Sequence, residues 1–67
     1  MRFNIPYKDR GAIYQRVADE CGVSAHKVAR VNNEKSNDLR VLEVLIYEYE
    51  LYKKRKEQIF LKLESLK

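Results

Sequence analysis

Residues 17–33, "VADECGVSAHKVARVNN", decide how this chain folds. Ile13, Val17 and Cys21, with Ala18 beside them, recur at the four-residue interval of one helix face, and the pattern stops at Gly22, which suits the left-handed conformation that closes helices. The spacing predicts a first helix that begins between Lys8 and Arg10, with Asp9 as its N-cap, and ends at Cys21. A second helix comes at once: Ser24 can cap it, and Val28 and Val31 form its buried side. Ala18 is small enough to let the second helix cross the first closely. Val23 tucks under the bend, and Val28 and Val31 pack back on Val17 and Cys21. Each helix is too short to be stable alone, so the two are expected to hold one another.

Upstream, "MRFNIPYKDRG" holds the single proline and one of the two glycines and reads as irregular, or at most a turn of helix. Downstream, "NNEKSND" is a polar turn in which Ser36 or Asn37 can cap a third helix, with Asp38 near the positive end of that helix. Neither proline nor glycine occurs from there to Lys67, and a helix over residues 37–67 would be about 45 Å long. Along it Leu42, Leu45, Tyr49, Tyr52, Lys56, Ile59, Leu63 and Leu66 alternate spacings of three and four, the a/d seam of a coiled coil. Glu43, Glu50, Glu57 and Glu64 repeat every seventh residue at a solvent-facing position. Lys56 occupies an a position, where an ammonium favours registers that let it reach water. Leu39, Val41, Val44, Ile46 and Leu51 lie off the seam, so one side of this helix should close the core and the other should meet a second subunit. The alternative is a hairpin folded back on its own domain, or a bend near Tyr52 to Lys56 that lets the tail pack within the chain. The run Lys53–Lys56 reads as a solvated charged face.

Composition bounds the function. A chain of 67 residues has room for one small core, which usually needs a staple, a metal or a second subunit. With one cysteine and one histidine, neither an internal disulfide nor a zinc-ligand set is available, which leaves oligomerisation. The net charge of +4 suits a polyanionic partner without demanding one, and residues 1–38 and 39–67 each carry seven basic and five acidic side chains, so charge does not locate a binding face. An apolar run able to span a bilayer and the apolar core of a secretory signal are both missing, so a cytoplasmic protein with Cys21 reduced is expected. The residue types of a catalytic set are not clustered, Cys21 reads as core, and neither an enzyme nor a cofactor is implied.

The pattern V-A-x-x-x-G-V-S-x-x-x-V-x-R-V-x-N, filled by Val17, Ala18, Gly22, Val23, Ser24, Val28, Arg30, Val31 and Asn33, resembles the helix-turn-helix of the lac-repressor headpiece and lambda-repressor-like DNA-binding domains. The resemblance spans roughly Tyr14 to Lys35, about a third of the chain by the usual extent of the motif. It implies that the second helix enters the major groove, with Ser24, Ala25, His26, Ala29, Arg30 and Asn33 facing the bases. Arg30 can donate two bonds to guanine, His26 can donate or accept, and Ala25 and Ala29 can touch a thymine methyl. Tyr14, Gln15, Lys27, Lys35, Ser36 and Asn37 flank the groove as candidates for phosphate. The chain stops well before a sugar-binding domain of the kind that succeeds a lac-type headpiece, so a small-molecule effector is not implied, and its third helix is much longer than the family's. A reduced relative of phage or mobile-element type, in a bacterial or phage-infected cell, is the expected setting.

The expectation is therefore an all-α homodimer. Residues 1–38 form a helix-turn-helix that binds double-stranded DNA, and residues 39–67 complete the core and pair the subunits, with half-sites one DNA turn, about 34 Å, apart. The competing expectation is an adaptor or inhibitor that uses the same hairpin and coiled coil to bind protein.

Overall fold

The computed structural model describes residues 1–66, and it is all-α: α1 (Tyr7–Cys21), α2 (Ala25–Asn32) and α3 (Leu39–Ser65). Ile13, Tyr14, Val17 and Ala18 of α1, Val28 and Val31 of α2, and Val41, Val44 and Leu45 of α3 form one core, which Ile5 joins from outside the helices.

The turn between α1 and α2 is made by two local residues. Gly22 adopts φ 67°, ψ 34°, and its amide and that of Val23 both donate to Ala18 O, closing the end of α1. Ser24 Oγ then accepts from Lys27 N at 3.1 Å, capping α2. Val23 and Cys21 lie half-buried against the core, as the spacing predicts.

Helix boundaries differ from expectation at two places. α1 begins at Tyr7 behind Pro6, one residue before the expected range, and no side-chain cap is made there. Proline fixes a φ compatible with helix entry, so the turn needs no Asp9 cap, and Asp9 lies inside the first turn. α3 is capped neither by Ser36 nor by Asn37: Asp38 Oδ1 accepts from Arg40 N and Val41 N, at 3.1 and 3.3 Å. A carboxylate there meets both free amides and the positive end of the helix.

The first six residues form an arm that is part of the core. Ile5 is fully buried, and the Phe3 ring lies 4.9 Å from that of Tyr49. Arg2 N donates to Asn32 O at 2.7 Å. Asn32 completes the attachment: its Oδ1 accepts from Phe3 N at 2.8 Å, and its Nδ2 donates to Phe3 O at 3.1 Å and to Tyr14 Oη at 2.6 Å.

α3 divides into two parts. Up to Tyr52 it lies antiparallel to α1, joined by Tyr52 Oη donating to Asp9 Oδ2 at 2.7 Å, an Arg16–Glu48 ion pair at 3.6 Å, and Cys21 Sγ 3.9 Å from Arg40 O. Leu42, Leu45, Tyr49 and Tyr52, expected to form the first half of an intersubunit seam, instead pack on the protein's own core. The reason is that α1 and the arm provide the apolar surface that the seam requires. From Lys53 to Leu66 every residue is exposed, and the stripe runs on with no cover. Among the described residues, no helix is long and apolar enough to cross a membrane.

Candidate nucleic-acid interface

The outward side of α2 is set by which residues the core consumes. Val28, Val31 and Asn32 turn inward and are fully buried, which at 100° per residue leaves His26, Arg30 and Asn33 on the opposite side. All three are exposed. Among the described residues, the side chains of His26 and Arg30 make neither an ion pair nor a hydrogen bond, so their donors are free for a ligand.

The other expected base-facing residues are less free. Ser24 is exposed, but its hydroxyl oxygen already caps α2. Ala25 and Ala29 are half-buried against the core and offer only part of a methyl surface. Asn33 lies just past the last residue of α2, its amide donating to Ala29 O, with its side chain in solvent.

Of the residues expected to flank the site, Gln15 is exposed and donates to Asp19 Oδ1 at 2.9 Å, and Lys35 is exposed. Lys27 lies 3.9 Å from Asp38 Oδ2, which offsets part of its charge. Ser36 is half-buried, and Asn37 Oδ1 accepts from the Arg2 guanidinium. Tyr14 must be corrected: it is 7% exposed, and its hydroxyl accepts from Asn32. A phenol held in the core by a buried amide is a structural group and cannot reach a phosphate.

Sequence reading missed Arg2. Its Nε donates to Val31 O at 2.9 Å and a terminal nitrogen to Asn37, which fixes a cation at the C-terminal end of α2. Only the folded arm brings it there, 29 residues from Val31 along the chain. Compared with family models, with curated proteins and with solved structures, the chain matches none.

Proposed function

We propose that the protein binds double-stranded DNA sequence-specifically as a small transcriptional regulator of the lac-repressor-headpiece and lambda-repressor-like kind. The observation that carries the reading is the unpaired, exposed set His26, Arg30 and Asn33 on the outward side of a short helix that Gly22 and Ser24 hold against α1. Arg30 is the base reader, because a free guanidinium fork matches O6 and N7 of guanine, and His26 reads the neighbouring pair. Lys35 and Arg2 hold the register on phosphate. The chain acts as a homodimer, which couples two weak modules on one duplex.

Anisotropy titration with pools of random duplex at low and moderate salt tests this. Binding that weakens steeply with salt is expected, since each phosphate contact releases counterions. Absence of binding to every pool at low salt removes the DNA reading and leaves protein recognition as the use of the same face.

A further inference from the structure

An open cleft of about 460 Å³ lies where the start of α1 meets the part of α3 that leaves the body. Its size falls within the range of small-molecule sites, roughly 300–1,000 Å³. Three cations line it from both helices, Lys8 on α1 and Arg55 and Lys56 on α3. Among the described residues, none of these three side chains makes an ion pair or a hydrogen bond. Tyr52, Ile59 and Phe60 add an apolar lining, the last two 66% and 55% exposed. We infer that this cleft binds an organic monoanion with an acyl or aryl body, its charged head on the cations and its body on Tyr52, Ile59 and Phe60. The inference rests neither on the DNA reading nor on the homodimer.

The two kinds of lining exclude simpler ligands. An inorganic anion would meet the cations but leave Ile59 and Phe60 in water, so the apolar part of the cleft would contribute nothing. An uncharged apolar molecule would cover those side chains, yet it would strip water from ammonium and guanidinium groups that have no partner in the protein. A molecule with one charged end and an apolar body satisfies both. The two parts of the site adjoin, because the Lys56 ammonium lies over the Tyr52 ring, 5.8 Å from its centroid.

Asp9 limits the charge of the head. Its carboxylate lines the same cleft, and its Oδ2 accepts from Tyr52 Oη at 2.7 Å, so the phenol's proton is already used. One carboxylate against three cations leaves two positive charges, enough to attract a single anionic head. A polyphosphate would lack further donors in this lining and would be repelled by Asp9. The cleft is also separate from the face proposed for DNA. α2 is tied to Asp38, and the rise of α3 from there to Tyr52 is about 20 Å.

Fluorescence titration of the full chain without DNA tests the site, with anilinonaphthalene sulfonate as an aryl monoanion and phenylnaphthylamine as the same rings without the charge. The anion should bind at one site per chain, at least about tenfold more tightly than the neutral probe, and more weakly as salt is raised. Arg55→Gln combined with Lys56→Gln should weaken the anion about tenfold and leave the neutral probe unchanged. Phe60→Ala should weaken both probes. Leu66→Ala, on the same helix but outside the cleft, should change neither. Equal affinity for the two probes, or anion binding that the double substitution leaves intact, overturns the inference. A loss for Leu66→Ala as large as for Phe60→Ala also overturns it, since an exposed helix face and not the cleft would then be taking up the probe. Sedimentation with phosphatidylglycerol vesicles but not with phosphatidylcholine vesicles, without uptake of the free anion, would make the surface a membrane contact and overturn it as well.

Discussion

Asn32 is the buried polar residue around which the N-terminal arm, α1 and α2 meet, and all of its hydrogen-bonding partners are in the protein. Asn32→Ala would leave the amide and carbonyl of Phe3 and the hydroxyl of Tyr14 without it, and urea denaturation should register a loss of about 1–3 kcal/mol. Arg30 sits close by in sequence but is exposed, and in the proposed reading it meets DNA and not the core. Arg30→Ala should leave stability unchanged but weaken a preferred DNA site by about 1–3 kcal/mol, with little effect on random duplex. Lys35→Ala should weaken both equally and lower the salt slope by about one, a contrast that paired titrations measure directly. Equal losses on both duplexes for Arg30→Ala would make that residue a phosphate ligand.

Helix ends and helix faces carry the next set of expectations. Glu34, just past the cap of α2, adopts φ 63°, with Lys35 N donating to Arg30 O at 2.9 Å, a closure that favours glycine. Glu34→Gly should therefore raise stability by about 1 kcal/mol, the exposed ion pair to the N-terminal amine contributing little. Along α3, Leu45 is fully buried within one chain while Ile59 is 66% exposed. Leu45→Ala should cost about 2–5 kcal/mol of monomer stability. Ile59→Ala should leave the fold of the dilute monomer intact, and denaturation at low and high protein concentration separates the two effects. At the junction of α1 and α3, the hydrogen bond from Tyr52 to Asp9 raises the phenol above its ordinary pKa of 10.0, with desolvation adding to the shift. The neutral phenol is thus favoured by folding, so this contribution is complete below pH 10.0 and is lost as pH rises through the higher folded value. Thermal melts across that range should show a decline that Tyr52→Phe makes shallower.

The molecule extends 44 Å along its longest axis, because α3 projects past a small body. Lys27 of α2 pairs with Asp38 at the start of α3, so α2 sits at the end of the molecule away from the exposed tail 53–66. If the proposed homodimer binds DNA, selection from random duplex should return inverted half-sites. Recovery of single, unpaired sites would remove the homodimer reading.

The features of the fold legible in the chain are those that depend on neighbours within a few positions. Gly22 closing α1, Ser24 capping α2, the inward Val28 and Val31, and the unbroken third helix all arise from backbone preferences and a period of 3.6 residues. The exposed positions of His26 and Arg30 were legible for the same reason, since they lie opposite the valines on one short helix. Contacts between distant parts of the chain were not. Periodicity shows that a face is apolar, but not which surface covers it. Packing therefore turned Leu42, Leu45, Tyr49 and Tyr52 toward α1 and the arm, where the same spacing had suggested a second subunit. The burial of Tyr14 likewise depends on Asn32, 18 residues away, and the placing of Arg2 beside α2 on its meeting Val31, 29 residues away, closures that only tertiary packing can stabilise.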